Sequence, residues 1–538
     1  MNQLILMNLP TDCLVEILGH LKYDTSSLYS CILVNRLWCK LSIPLLWCSP
    51  FEFTRYNNKS DLIIETYVSC FSDDEKKQFY DNIFLIPDFQ KPAFNYPIYL
   101  HNLDIPAFEN AVRNWFYEIW NNYAPKSSDF SLSSFSTCKR IIAQMLFNRS
   151  IGFRALKMNR DEQDHSFYFD MIVNSGIQYR LSKLSRLDLC YNVTRNIDAK
   201  FIVEGIINLF NTLSRYVHHL EHISFIFGTE NPNLQFNVAT AFVNLIKSQE
   251  NLLSLELYKF WDHSTADDIY SALNTQSKSL TYLKILGAKD FIQMLPFLEN
   301  CSNLKTLYIT PSIIFNHSDS ISFKEIPLKN LYFHHYTEPK MITSTIFPIL
   351  RMSSRSLRTL TLQRVNLEHL SIIERYCQFI KTLTLSISCS QLPRFCRIIS
   401  KMELESLTLK KVLDDCTFDI NSIHDLALSI PKSLINFGIG FKMSPQTLDL
   451  FLRECPATLV ILDLYYYFNM IDDPYLEVFI QHSKENISFK RLNFEEAPST
   501  RLKSVLDKPS KLLEYAMKII SIKKFKFGSN PLDGPFGW

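Results

Sequence analysis

Glycine is scarce in this chain, at 11 of 538 residues, and Gly438-Ile439-Gly440 holds the only two that stand two apart. Loops that cradle phosphate groups are built on closely spaced glycines, so a nucleotide-binding enzyme of that kind is not expected. No GxSxG elbow, HExxH helix or CxxC pair occurs, which leaves no nucleophile beside a base and no ligand set at metal spacing. His218, His219 and His222 are clustered, as are His334 and His335, but neither group is joined by a second set of ligands. The expectation is a chain that is not an enzyme: no catalytic residue, no cofactor and no metal.

Charge of one sign is also missing. Fifty-six basic residues nearly cancel 54 acidic ones, for a formal charge of +2, so no global field draws the chain to nucleic acid or to an anionic membrane. No uninterrupted apolar run reaches the length of about 18 residues that a spanning helix needs. Leu4 to Met7 is apolar but lacks the basic stretch and long core of a secretory leader. The 13 cysteines are odd in number and irregularly spaced, which suits reduced, buried thiols better than a disulfide framework. A soluble, cytoplasmic and/or nuclear protein with protein partners, no nucleic acid and no membrane is expected. Its content of 47% hydrophobic and 13% aromatic residues is ample for a large core.

What is abundant is a repeated hexad, apolar-x-x-apolar-x-apolar. It reads Leu184-Leu187-Leu189, Leu220-Ile223-Phe225, Leu252-Leu255-Leu257, Leu280-Leu283-Ile285, Leu304-Leu307-Ile309 and Leu328-Leu331-Phe333. It continues through Leu357-Leu360-Leu362, Ile380-Leu383-Leu385, Leu404-Leu407-Leu409, Leu434-Phe437-Ile439, Leu459-Leu462-Leu464 and Phe489-Leu492-Phe494. Eleven steps from 184 to 489 give a mean period of 305/11, about 28 residues, inside the range of leucine-rich repeats. The last two apolar residues of each hexad stand two apart and so share one face of a short strand. Helical spacing between hexads, as in Phe291, Met294, Leu295 and Leu298, supplies an outer layer. Weaker hexads at Leu100-Leu103-Ile105 and Phe153-Leu156-Met158 place the start of the repeats near residue 95.

On these residues the chain resembles the leucine-rich-repeat family, and within it the ribonuclease-inhibitor-like subclass. That resemblance implies an α/β horseshoe-shaped solenoid with parallel strands inside and helices outside. Asn192 stands where the family keeps an Asn or Cys to bond the turning backbone, and Cys301 and Cys455 precede their hexads as in cysteine-containing repeats. Most other repeats lack the Asn, so their turns must be satisfied differently.

Residues 9 to 47 carry a second pattern. Leu14, Ile17, Leu18 and Leu21 form an apolar stripe behind Pro10, which suits a first helical turn. Asp24 or Thr25 can cap a second helix with Leu28, Cys31 and Val34, and Leu37, Trp38 and Leu41 supply a third. About 40 residues cannot bury all of this internally, so part of it must face the repeats or another protein. Leu9-Pro10, Ile17-Leu18, Leu21, Val34-Asn35-Arg36-Leu37-Trp38 and Leu45-Leu46-Trp47 make the segment resemble an F-box, with Asn35 where that family often has Cys. The resemblance implies docking to a Skp-type adaptor and through it to cullin and RING subunits. Carried over, Leu9, Pro10, Leu14, Ile17, Leu18 and Leu21 are adaptor contacts, with Val34 and Trp38 partly core and partly interface.

The expected organisation is an F-box at 1–50, a helical connector at 51–94, the solenoid at 95–508 and a C-terminal cap at 509–538. The connector is read as helices over Asp61 to Cys70 and Asp73 to Phe84, and the cap as a helix over Pro509 to Ile520 with a closing tail. The short basic run Lys523, Lys524 and Lys526 is read as a solvated edge. Residues flanking the last apolar positions of each strand face the inner wall, and Glu256, Tyr258, Tyr282, Lys284, Tyr308 and Tyr332 are the expected contacts to an unknown protein target. Tyrosine suits recognition because it offers broad apolar area and a hydroxyl at little rotamer cost. The expected function is substrate recognition in an SCF-type ubiquitin ligase; the alternative is a repeat scaffold unconnected with ubiquitin.

Overall fold

A computed structural model describes residues 9–526 except 53–59, 83–89, 124–131, 160–165, 175, 177, 193–198, 230, 259–262, 289–290, 312–323, 335–342, 412–417, 466–472 and 497–520. The chain divides into two compact units, residues 1–276 and 277–538. The division falls inside the expected solenoid, between two repeats. In an array where each repeat touches only its neighbours, no composition change need mark such a point.

The first unit opens with three short helices, α1 (Thr11–Gly19), α2 (Thr25–Ile32) and α3 (Arg36–Leu46). Pro10 is the residue before α1, not part of its first turn, and its carbonyl accepts from Leu14 N at 3.2 Å. Asp24 caps α2 by accepting from Ser27 N at 3.0 Å, and Asn35 caps α3 by accepting from Trp38 N at 3.0 Å. Asn35 thus has a local reason to stand where the F-box pattern often has Cys. Connector helices follow at Ser60–Ser69 and Asp73–Asn82, within a residue or two of expectation.

Five strands complete this unit: β1 (Asn102–Asp104), β2 (Ala155–Asn159), β3 (Arg186–Asn192), β4 (His222–Gly228) and β5 (Ser254–Tyr258). They pair in parallel and in sequence order, with Leu103, Leu156, Leu187, Ile223 and Leu255 in one register row. That row is buried, and each strand is joined to the next by at least one helix on the other side of those side chains. The second unit holds β6 (Tyr282–Ala288), β7 (Thr306–Pro311), β8 (Asn330–Phe333), β9 (Thr359–Leu362), β10 (Thr382–Ile387), β11 (Ser406–Lys411), β12 (Asn436–Gly440), β13 (Ile461–Leu464), β14 (Arg491–Glu496) and β15 (Ser521–Lys526). All are again parallel and sequential, with Leu283, Leu307, Leu331, Leu360, Leu383, Leu407, Phe437, Leu462 and Leu492 in one row. Every member of that row is buried. This α/β repeat, parallel strands alternating with helices except between β7 and β8 and between β14 and β15, where the described residues hold none, is the leucine-rich-repeat solenoid architecture. β15 pairs with β14 from Ser521 to Lys526, one strand past the expected boundary at 508, and carries the run Lys523, Lys524 and Lys526. The expected cap helix at Pro509 to Ile520 lies outside the described residues.

Ahead of the strands, where the chain enters each repeat, backbone groups are satisfied by side-chain amides and hydroxyls. Gln249 is buried; its Oε1 accepts from Leu220 N at 3.0 Å, and its Nε2 donates to Val217 O at 2.9 Å. Gln276 repeats the device one period on, accepting from Leu252 N at 3.3 Å and donating to Gln249 O at 2.7 Å. Ser356 Oγ bonds the carbonyls of Ile326 and Leu328, Ser433 Oγ that of Leu404, and Asn486 Nδ2 that of Leu459. Buried carbonyls and N–H groups left without partners would cost free energy. Asn192 is exposed at the end of β3, its Oδ1 facing Gly228, where a Cβ would come within 3.0 Å; the turn it is expected to bond, from residue 193 on, lies outside the described residues. Of the cysteines, Cys138, Cys301 and Cys377 are buried free thiols as expected, whereas Cys13 is exposed. Cys389 is disulfide-bonded, which departs from the expectation of reduced thiols.

Candidate protein-interaction surfaces

Helices α1 to α3 close on Leu18, Leu28 and Cys31, with Leu21, Trp38, Leu41, Leu45 and Leu46 partly buried against them. The apolar stripe of α1 therefore divides. Leu14 and Leu18, both expected as partner contacts, are buried at 2% and 0% exposure, and they hold the module together instead of presenting surface. The reason is helical spacing, because positions 14 and 18 are one turn apart on the side facing α2 and α3. Ile17 at 43% and Val34 at 59% are exposed, Pro10 is exposed, and Leu9, Leu21 and Trp38 are intermediate. The structure adds Val15, Leu33 and Leu37 to the exposed apolar residues of the module. Leu33 and Leu37 flank Val34 at α2–α3; Val15 shows no sequence signal beyond its type.

The other end of the module is tied to the repeats. Trp47 packs on Tyr67 and Tyr96 with ring centroids 5.2 and 4.2 Å away. The Cys48 carbonyl accepts from His101 N at 3.0 Å and Asn102 N at 2.9 Å. The same paired acceptance recurs one repeat later, where His101 O receives Arg154 N and Ala155 N. Cys48 thus stands in for a repeat ahead of β1, and Asn102 Nδ2 adds a bond of 2.6 Å to Ser49 Oγ. No sequence pattern marked this junction, since a carbonyl acceptor is available at any residue.

On the second unit, Lys284, Tyr308, Tyr332, Thr361, Thr384 and Thr408 occupy one register row. Tyr308 and Tyr332 stack with centroids 4.0 Å apart and planes 9° from parallel; Tyr282 lies 5.7 Å from Tyr308, and Lys284 Nζ is 5.8 Å from the same ring. Four of the six expected target contacts are thus brought together. Stacking has a consequence that the sequence did not show: Tyr308 is 3% exposed and Tyr332 9%, so these two support the face more than they cover a partner. Burial raises the Tyr332 phenol pKa, against an opposing hydrogen bond with Tyr308. Tyr282 and Lys284 are half-buried. Glu256 and Tyr258 belong to β5 of the first unit and are likewise half-buried. Gly438 and Gly440, on β12, leave room for Thr408 and Lys410; a Cβ on Gly438 would stand 2.6 Å from Thr408 Oγ1.

Among the described residues no group of His, Cys, Asp and Glu is arranged to hold a metal ion, and no helix is long and apolar enough to cross a membrane.

No family model matches the chain, and no curated protein matches it. Among solved structures it is similar to the leucine-rich repeat-containing protein LegL7 from Legionella pneumophila, at 14% identity and a TM-score of 0.36, over 55% of this chain and 95% of that one. It is also similar to a chain from the complex of Rad7 and Elc1 in yeast, at 14% identity and a TM-score of 0.33, over 67% of this chain and 81% of that one. The repeat architecture rests on the strand register described above.

Proposed function

We propose that this chain is the substrate-recognition subunit of an SCF-type cullin-RING ubiquitin ligase. Helices α1–α3 dock a Skp-type adaptor, which brings cullin and RING subunits, and the repeats hold a target protein. The chain itself carries out no chemistry in this reading, and it acts in the cytoplasm and/or nucleus by holding target and ligase together. The observation that carries it is the exposed apolar surface of Ile17, Leu33, Val34 and Leu37 on a module that resembles an F-box. Exposed apolar side chains concentrated on so small a module support contact with another protein. The tie between Cys48 and β1 supports the reading further, because a docked adaptor would then be held rigidly against the first unit.

The test is a pull-down of purified Skp-type adaptor by the full chain. Binding is expected, and Ile17→Asp with Leu37→Asp is expected to abolish it while leaving the melting temperature unchanged, since both side chains face solvent. Buried Leu18 is unsuited to this test because its replacement would unfold the module. Absence of binding, or binding indifferent to the double substitution, would favour a repeat scaffold unconnected with ubiquitin.

A further inference from the structure

In the second unit the residue just ahead of each strand stands in a row of its own, and its carbonyl accepts two N–H groups from the next repeat. Lys305 O receives Lys329 N and Asn330 N, both at 2.9 Å; Lys329 O receives Arg358 N at 2.8 Å and Thr359 N at 2.9 Å. Arg358 O receives Lys381 N at 2.8 Å and Thr382 N at 2.9 Å, and Lys381 O receives Glu405 N at 2.8 Å and Ser406 N at 3.0 Å. These bonds fix Lys305, Lys329, Arg358 and Lys381 as a line of cations, one per strand, at roughly the 4.8 Å spacing of a sheet.

Lys305, Lys329 and Arg358 are exposed and Lys381 is half-exposed. Lys381 lies 3.4 Å from Glu403 and 3.7 Å from Glu405, and the Arg358 guanidinium stands 5.6 Å from the Phe379 ring. Lys305 and Lys329 have no ion pair among the described residues, while nearby Arg355 is paired with Glu325 at 3.3 Å. The turn does not demand cations. In the first unit the same row, made by the same bonds, reads His101, Arg154, Ser185, Glu221 and Leu253. In the second unit the row opens with Thr281 ahead of Lys305, and beyond Lys381 it continues as Glu405, Ile435, Val460 and Lys490. Four consecutive cations therefore belong to these repeats and not to the fold.

We propose that this edge of the second unit binds a short acidic stretch of a partner polypeptide, whose carboxylates lie along Lys305, Lys329, Arg358 and Lys381. The line is bounded: Glu403 and Glu405 at one end would repel a longer polyanion, and the net charge of +2 gives no far field to gather nucleic acid. A segment with about four acidic side chains matches the length of the row, and Phe379, 52% exposed beside Arg358, offers an apolar contact next to the charges. The inference goes beyond the adaptor reading and does not depend on it.

The experiment uses the full chain and fluorescein-labelled peptides followed by anisotropy, one containing four glutamates and its glutamine counterpart. The glutamate peptide is expected to bind, the glutamine one to fail, and affinity to fall as salt rises, because exposed charge pairs are screened. Lys305→Glu with Lys329→Glu is expected to weaken binding by at least about tenfold, since two attractive contacts become repulsive. Arg154→Glu, at the equivalent position of the first unit, is expected to change nothing. Lack of binding by the glutamate peptide, or equal binding by the double variant, overturns the proposal. Tighter binding of a short single-stranded RNA to the same lysines, or of a phosphorylated peptide where the glutamate peptide fails, overturns it as well.

Discussion

Lys139 Nζ lies 2.9 Å from Glu109 Oε1, with both side chains about 95% withdrawn from solvent. Tyr168 OH donates to the same carboxylate oxygen at 3.0 Å, and the rings of Phe135, Phe167 and Tyr168 stand 5.9, 5.3 and 5.9 Å from the ammonium. Three helices of the first unit, Ile105–Tyr123, Leu132–Arg149 and Ser166–Asn174, are joined at this point. Lys139→Met would leave the Glu109 charge buried without its cation, and a loss of about 3–5 kcal/mol is expected. Urea denaturation measures it, and adding Glu109→Gln should restore most of the loss because no net charge is then buried. A single variant as stable as the parent would show that the pair contributes little.

Leu18 and Ile17 are sequence neighbours with opposite fates. Leu18→Ala is expected to destabilise the first unit by about 2–5 kcal/mol, as a cavity in a core does. Ile17→Ala, on the exposed side, should stay within about 0.5 kcal/mol. Thermal unfolding of the two variants side by side checks the burial on which the docking face rests.

Gly205 lies within the helix Ala199–Tyr216, where alanine would ordinarily be the better residue by about 1 kcal/mol. Here a Cβ would meet Phe169 Cδ2 at 2.4 Å and Cγ at 2.7 Å. Overpacking of that kind costs about 1–3 kcal/mol and outweighs the propensity gain. Gly205→Ala should therefore lower the melting temperature; a rise would mean that the two helices can separate freely.

Asp463 has its carboxyl pKa raised, because burial outweighs the hydrogen bonds from Asn493 and Asn436. A raised acid is ionised more readily in the unfolded chain, so stability is lost as pH climbs from the ordinary value of 3.8 through the folded one. Asp463→Asn keeps an acceptor for Asn493 Nδ2, now 2.6 Å from Oδ1, and removes the buried charge. Its melting temperature is expected to exceed the parent's at pH 7, with the gap closing below pH of about 4. A gap that does not change with pH would refute this account.

Cys13 is exposed, whereas burial pushes the Cys301 thiol up to about 12 and those of Cys396 and Cys455 up to about 11. Since the thiolate is the reactive form, iodoacetamide on the native chain should label Cys13 first. Peptide mapping that finds Cys301 labelled as quickly would show that the repeat around it opens readily.

The hexads were readable because a strand has a side-chain period of two and each repeat must offer the same apolar row to the one before it. The two register rows running from Leu103 to Leu255 and from Leu283 to Leu492 are those hexad positions. The module at the front was readable by its apolar spacing and by the cap at Asp24, whereas the cap at Asn35 emerged only from the structure. Which side of its stripe faces outward was not, since Leu14, Ile17 and Leu18 are alike in type and differ only in what they meet. For the same reason the tyrosine row was visible while its stacking was not.

Chain chemistry alone thus determined the repeat, its strands and the three front helices, all of which follow from local spacing and residue type. Tertiary structure decided what the surfaces offer. Lys305, Lys329, Arg358 and Lys381 are separated by 24, 29 and 23 residues, so no fixed interval aligns them; only the paired backbone bonds between repeats do. Cys48 closes the first strand through a carbonyl that every residue possesses, and geometry alone selects it.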